Sequence, residues 1–296
     1  MPAADVIHAA VLGRLAPGGS IRAVRPFRRH PLPFPAELTL DRDGRFLVCV
    51  VKASTDSDRL AEEAAALRAL AHLDFPAPRV LADPFPVETA DGPFAVLVMS
   101  RLPGEALPWI GVSDIAVADR TCRLLFEAID RLHALTPRVA EHPLAGRLQH
   151  RSLDDELAEA AERDSPWAGT PVVRAEVAVL RDRIPEHRLP LVFSNGDYNP
   201  LNVLVDDAGG LGWVDFEYAR IEDPLIGLPK FGFWADDSGW ALGAQSGLVE
   251  RFLYRRGISP ATFQVRVALR GLTHLHDTSP DDPPRLTLEA ATASLS

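Results

Sequence analysis

The chain has almost no cysteine, almost no lysine and no stretch of unbroken hydrophobicity. Cys49 and Cys122 are the only cysteines among 296 residues. Cys49 sits in an apolar run and Cys122 in a helical pattern, so both are expected as buried thiols in a reducing compartment. No apolar run reaches the ~18 residues of a membrane span. The N-terminus carries Asp5 early and lacks a basic segment ahead of a long apolar core, so no secretory signal is expected there. A cytoplasmic protein with no membrane partner is expected. An excess of positive charge is missing too: the net charge is -10, which argues against nucleic acid as a partner and only weakly for a cationic ligand. No internal repeat or dominant low-complexity block interrupts the chain, and 47% hydrophobic with 24% charged residues is the balance of an ordinary globular protein. The length suffices for two lobes or one large domain.

The scarcity of lysine is itself informative. Of 31 basic residues, only Lys52 and Lys230 are lysines, so arginine serves almost everywhere a positive charge is wanted. A lysine kept against that bias suggests a need for a compact point charge. Lys52 ends the apolar run Phe46 to Val51, where it needs a counter-charge. The helix that follows, expected from about 58 to 72 behind a cap drawn from Thr55, Asp56 and Ser57, offers Glu62 and Glu63. Helical spacing puts Glu63 on the face of Leu60, Leu67 and Leu70, and Glu62 on the face of Arg59 and Ala66. Glu63 is therefore the expected partner of Lys52.

Strands are expected at 21–27, 36–40, 46–51, 79–82 and 94–100, after a short amphipathic helix at 5–15. Beyond Pro103-Gly104 the pattern turns helical, at 114–135, 153–163, 172–184, 240–256 and 260–276. The implied domains are a sheet-rich lobe over 1–100 and a mainly helical lobe over 101–296. Such an α+β arrangement makes a container for a nucleotide at a cleft.

The densest signal is Ser194-Asn195-Gly196-Asp197-Tyr198-Asn199-Pro200-Leu201-Asn202, followed by Trp213-Val214-Asp215-Phe216-Glu217. An Asp, an Asn five residues on and a second Asp on the next strand form the polar set of phosphoryl transfer: one carboxylate takes the proton of an attacking hydroxyl, while the Asn and second Asp hold magnesium. Taking Asp207-Ala208-Gly209-Gly210 as the loop between two short strands pairs 206 with 211 and 202 with 215. Directly opposed residues have Cβ atoms ~5 Å apart, within reach of one metal shell. The bland alternative is a surface hairpin carrying ordinary loop carboxylates.

These residues together resemble the aminoglycoside phosphotransferase family, small-molecule kinases of the protein-kinase-like fold. The resemblance runs from about residue 20 to about 276. It is carried by Val50-Val51-Lys52, the stretch Glu63 to Leu70, Pro76 to Leu81, Val98-Met99-Ser100-Arg101-Leu102-Pro103-Gly104, Leu132-His133-Ala134-Leu135, the Asp197/Asn202 loop, and Val214 to Glu217 with Asp223-Pro224. It implies a two-lobed fold with a small antiparallel-sheet N-lobe and a larger helical C-lobe. Asp197 would be the catalytic carboxylate, Asn202 and Asp215 the Mg2+ ligands, and Lys52 the phosphate-binding cation positioned by Glu63. Adenine would bond to the backbone at Ser100 and Leu102, with Met99 near the base. The cofactors implied are ATP (GTP being the alternative) and Mg2+. The acceptor is a small-molecule hydroxyl, with an aminoglycoside or another sugar- or nucleoside-containing antibiotic as first choice, in a monomer or homodimer. The alternatives are a metabolic kinase of choline, homoserine or sugar type, and a non-catalytic ATP-binding regulatory protein.

Two departures stand out. Asn195 occupies the place where the family usually carries His two residues before the catalytic Asp; Asn can also donate and accept hydrogen bonds. The segment 28–35 contains no glycine and three prolines, where a phosphate-covering loop uses glycine amides. Arg28 or Arg29 could substitute electrostatically. Less weight falls on His274 and His276, whose spacing points them to different helix faces. Trp213, Trp234 and Trp240 are expected mainly as core. Glu222, Asp223, Asp236 and Asp237 are either amino-group recognition residues or solvated charges.

Overall fold

The computed structural model describes residues 2–27, 34–109, 112–229 and 247–276. Residues 28–33 of the glycine-free segment, with Arg28 and Arg29, lie outside the described residues, as do Lys230, Trp234, Asp236, Asp237, Trp240 and the C-terminal tail. The chain divides into two compact units. One comprises Met1–Ala106, Pro137–Leu148 and Asn202–Ala219; the other comprises Leu107–Thr136, Gln149–Leu201 and Arg220–Ser296.

The first unit opens with α1 (Ala3–Leu15), followed by β1 (Ser20–Pro26), β2 (Ala36–Arg42), β3 (Arg45–Ser54), α2 (Ser57–His72), β4 (Val80–Thr89) and β5 (Gly92–Ser100). The strands form one antiparallel sheet in the order β1-β2-β3-β5-β4. Strand alternation sorts β3 into two faces. Cys49 and Val51 join Leu38, Leu40, Val96 and Val98 in a core packed with Ile7 and Val11 of α1. Each such fully buried side chain contributes ~1.5–3 kcal/mol. Phe46, Val48 and Lys52 take the other face, where Phe46 and Val48 are exposed. The side chain of Asp56 caps α2, accepting from the Arg59 amide at 3.0 Å.

A second, three-stranded sheet in this unit joins β6 (Glu105–Ala106) to the hairpin β9 (Val203–Val205) and β10 (Leu211–Trp213) in the order β10-β9-β6. Gly104, at φ 105°, lets β6 approach: a Cβ there would lie 2.5 Å from the Val205 carbonyl oxygen.

In the second unit α3 (Ile115–His133) leads into α4 (Thr136–Ala140), where the chain passes to the first unit. It returns through β7 (Gln149–Arg151), α5 (Leu153–Glu162), α6 (Pro171–Arg183) and β8 (Val192–Ser194). β11 (Arg220–Glu222), α7 (Leu248–Arg255) and α8 (Pro260–Leu275) follow the hairpin. α5, α6 and α8 share a core built on Leu157, Leu180, Leu269 and Leu272. The N-termini of these helices are chemically marked: Ser152 forms a capping box with Asp155, while Thr170 and Ser259 cap helices whose first residue is proline. β11 lies between β7, to which it is parallel, and β8, to which it is antiparallel. The sequence reading had no counterpart for this sheet, since three-residue strands are too short to show alternation.

Candidate active site

In the first unit, β3 and α2 bring Lys52 and Glu63 together as the periodicity argument expects. Lys52 Nζ donates to both Glu63 oxygens, at 2.8 and 2.9 Å. The same ammonium donates to Asp215 Oδ1 at 2.5 Å, and a Glu217 oxygen lies 3.9 Å away. Glu63 is fully buried and also accepts from the Phe216 amide at 3.1 Å. Burial alone would lower the Lys52 pKa, but Glu63, Asp215 and Glu217 outweigh it and hold the ammonium well above its ordinary range. Burial also pushes the Glu63 carboxyl upward, against the pull of Lys52. The two directions oppose each other. The geometry favours the ionised pair, because both Glu63 oxygens already accept hydrogen bonds.

The hairpin carrying Asn202 and Asp215 departs from the expected register. Leu211 pairs with Val205, Gly212 with Leu204 and Trp213 with Val203. The ladder continues with Val214 donating to the Asn202 carbonyl at 2.9 Å. Val214, rather than Asp215, therefore stands opposite Asn202. The cause is Asp206, which belongs to the loop: its Oδ1 accepts from the amides of Ala208 at 2.9 Å and Gly210 at 2.7 Å. This side-chain turn makes the loop five residues long, and adding one residue shifts the register by one. Asp215 lies just past the ladder in the left-handed region, at φ 66°. An aspartate held there is a strained feature, and strain of this kind clusters at functional sites. Asn202 ends a 3-10 turn, Pro200–Asn202, and is buried.

Ser100 belongs to the strand system: its amide donates to the Arg79 carbonyl at 2.8 Å, and its hydroxyl accepts from the Arg79 amide at 2.8 Å. The Leu102 carbonyl accepts from the Arg101 guanidinium. Both expected adenine-binding backbone positions thus have groups already engaged within the protein.

In the second unit, Asp197 sits in a loop stabilised by Asn195. The buried Asn195 side chain donates through Nδ2 to the Asp197 carbonyl at 2.9 Å and accepts at Oδ1 from the Asp197 amide at 3.2 Å. Asn195 supports the loop in both directions, as its donor and acceptor chemistry allows. Gly196, at φ 78°, permits the tight turn.

A chain of buried polar groups runs beside this loop. The neighbouring Tyr198 hydroxyl lies 2.6 Å from His133 Nε2. Burial pushes the His133 imidazole down to about 3, so the ring is neutral at ordinary pH. Burial raises Tyr198 as well, and Ser194 bonds both Tyr198 and Glu222. Glu222 pairs with Arg220, which also lies 4.0 Å from Glu156; Glu156 in turn accepts from Arg151 at 3.0 Å. Sequence reasoning missed this network: Ser194, Tyr198 and His133 stand in motifs and Glu222 is named beside them, but nothing in the sequence joins them to one another or to Arg220, Glu156 and Arg151. Glu222 and Asp223 are expected from the sequence either to recognise amino groups or to be solvated. The structure corrects solvation for both: they are buried, and Asp223 receives two bonds from the fully buried Arg266, at 3.0 and 2.5 Å.

Beside Asp197 is a cavity of about 340 Å³, lined among others by Glu156, Asn199, Arg220, Arg270 and Thr273. Trp213 is core, and both cysteines are buried free thiols. His276 accepts or donates at Nδ1 with Ser165 at 2.6 Å, a structural role. Among the described residues, no group of three or more His, Cys, Asp or Glu side chains forms a metal centre. No helix among them is long and apolar enough to cross a membrane.

The fold is α+β and protein-kinase-like, and its relatives define the class as phosphotransferases. The family model described as the phosphotransferase enzyme family matches residues 37–261, and the chain belongs to that family, the aminoglycoside phosphotransferases and their kin that the motifs resemble. No curated protein sequence matches the chain. Solved structures do. A thermostable mutant of APH(4)-Ia in complex with ADP and hygromycin B superposes with a TM-score of 0.58 at 17% identity, over 91% of this chain and 90% of that one. The GDP and kanamycin complex of APH(2")-IIia gives 0.55 at 18% identity, over 91% of each chain. Choline kinase LicA from Streptococcus pneumoniae gives 0.59 at 15% identity, over 91% and 88%.

Proposed function

We propose that this protein transfers the γ-phosphoryl group of ATP to a hydroxyl of a small molecule. The observation that carries the reading is Lys52, held by Glu63 and Asp215 through bonds of 2.5–2.9 Å in a chain whose family is phosphotransferase. Residues 1–100 supply the nucleotide-binding part and 101–296 the catalytic and acceptor-binding part. Lys52 holds the α- and β-phosphates as a charged ammonium, and Glu63 fixes its position. Leu102 N–H and the Ser100 carbonyl are the backbone groups assigned to adenine.

Asp197 accepts the proton of the acceptor hydroxyl and aligns its oxygen for attack, at a loop position that Asn195 keeps fixed. The oxygen donors of Asn202 and Asp215 suit Mg2+, a hard cation that takes one or two protein ligands and completes its shell with water and phosphate oxygens. When bound, the ion supplies charge neutralisation on the phosphates. Nucleotide use is supported by the ADP and GDP complexes of the similar enzymes. The first-choice acceptor remains a sugar- or nucleoside-containing molecule; hygromycin B and kanamycin occupy the similar structures. The similar choline kinase keeps the metabolic reading as the alternative. Incubation with ATP, Mg2+ and a panel of hydroxylated small molecules, read by mass spectrometry, tests the proposal. An acceptor gaining one phosphoryl group supports it; ATP binding with no phosphorylated product from any class moves the non-catalytic reading ahead.

A further inference from the structure

Away from Lys52 and Asp215, the first unit brings two histidines into contact. His72 ends α2, and His142 follows α4 within the segment Pro137–Leu148 of the same unit. Both backbones are held in place. The Leu73 amide, just after His72, donates to the Ala69 and Leu70 carbonyls at 3.1 Å, and the His142 amide donates to the Val139 carbonyl at 3.0 Å. Leu70 and Val139 are buried, which anchors the two segments. His72 Nδ1 lies 3.3 Å from His142 Nε2, with ring centroids 5.2 Å apart and planes at 33°. Two nitrogens that ligate one tetrahedral ion at ~2.0–2.1 Å stand about 3.3–3.4 Å apart. The pair therefore already has the spacing of a chelate. A single N–H···N bond now joins the two rings. An ion takes its place once each ring turns its lone pair toward the metal, leaving each ring's N–H on its other nitrogen. A partner on that other nitrogen orients a ligating ring and does not compete with the ion. His72 is exposed and His142 half-buried, so solvent reaches the pair. The carbonyl end of α2 adds negative potential at His72.

We propose that His72 and His142 bind a late first-row divalent ion, Zn2+, Ni2+ or Cu2+, with water completing its shell. Imidazole suits these ions, whereas Mg2+ prefers oxygen donors, so the pair does not duplicate the magnesium ligands assigned to Asn202 and Asp215. The bound ion ties the C-terminal end of α2, the helix that carries Glu63, to the segment after α4. The inference goes beyond the phosphotransferase reading, and its test needs neither nucleotide nor acceptor.

Calorimetric titration with Zn2+ and Ni2+ uses the full chain without a histidine tag, stripped by a chelator and held in excess Mg2+. Both ions bind, with a single ion per chain. His72→Gln and His142→Gln each weaken binding by at least about tenfold, since losing even an outer-shell partner costs about 10–100-fold. His150→Gln, a change in β7, binds as wild type. Electron paramagnetic resonance of the Cu2+ complex shows two imidazole nitrogens in the wild type and fewer in either variant of the pair. Zn2+ raises the unfolding midpoint of the wild type more than that of those variants. Circular dichroism confirms that each variant folds. No binding, binding that survives either substitution, equal loss in His150→Gln, or a Cu2+ spectrum with oxygen donors alone overturns the inference.

Discussion

The two units handle charge in opposite ways. In the first, one ammonium draws in three carboxylates: Lys52 bonds Glu63 and Asp215 and lies 3.9 Å from Glu217. The cluster sets three carboxylates around a single ammonium. In the second, the loop of Asp197 is backed by groups that cancel one another. His133 and Tyr198 are buried as neutral partners, and Arg151, Glu156, Arg220 and Glu222 alternate in sign. Low dielectric makes both arrangements consequential, but differently. The first commits its charge to one position; the second keeps a carboxylate accessible in a locally balanced surround. Under the proposed function, one unit would manage a nucleotide and the other a proton and an acceptor.

The contrast breaks at four places, in descending order of effect. Asp197→Asn keeps the loop hydrogen bonds to the backbone and removes the base. It is expected to lower kcat by about 10²–10⁴-fold, the range for a positioned general base, in acceptor-dependent ADP release. Lys52→Met leaves Glu63 buried opposite an apolar chain, a loss of about 3–5 kcal/mol by the rule for a broken buried pair, read by urea unfolding. The double variant Lys52→Met with Glu63→Leu removes both charges of the Lys52–Glu63 pair and recovers most of that stability, while nucleotide binding is expected to be lost in the single and the double variant alike. A double variant as unstable as the single one contradicts the assignment of a buried ion pair.

The third effect is a pH dependence. The His133 pKa falls from 6.5 to about 3 on folding, so between those values the unfolded chain takes up a proton that the folded chain refuses. Stability therefore falls as pH drops from about 6.5 towards 3, by ~1.4 kcal/mol per pH unit from this group. Glu63 and Glu222, raised by burial, act in the opposite sense. The comparison of wild type with His133→Gln isolates the histidine: the variant's unfolding free energy declines less steeply over that range. Equal slopes would remove the neutral, buried His133. The smallest effect belongs to Asn195→Ala, which deletes two bonds to the Asp197 backbone. It costs about 1–3 kcal/mol of stability and lowers kcat with the KM for ATP unchanged; an altered KM with intact kcat would tie Asn195 to the nucleotide instead.

The first unit's site was the more legible in the sequence, for physical reasons. Lys52 ends a strand, Glu63 occupies the inward face of the next helix, and period two and period 3.6 fix both side chains before any tertiary contact is known. The hairpin was legible only in outline. Asp206 could be either the last strand residue or the first loop residue. Its side-chain bonds to Ala208 and Gly210 decided for the loop and moved Val214 opposite Asn202. The hairpin segment, Asn202–Ala219, also belongs to the sheet-rich first unit, although it lies within the helical part of the sequence. The network beside Asp197 was not legible. Ser194, Glu222, Arg220, Glu156 and Arg151 come from β7, β8, β11 and α5, and three-residue strands leave no pattern from which to pair them. A pair such as Asp223 and Arg266, 43 residues apart, likewise has no local signature.

The most direct test measures Mg·ATP binding by calorimetry and acceptor-dependent ADP release on the same preparation of Asp197→Asn, beside wild type. The account predicts nucleotide affinity close to wild type with transfer all but lost, because Asp197 serves the acceptor hydroxyl alone. Retained transfer, or nucleotide affinity lost together with it, contradicts the division between the two units.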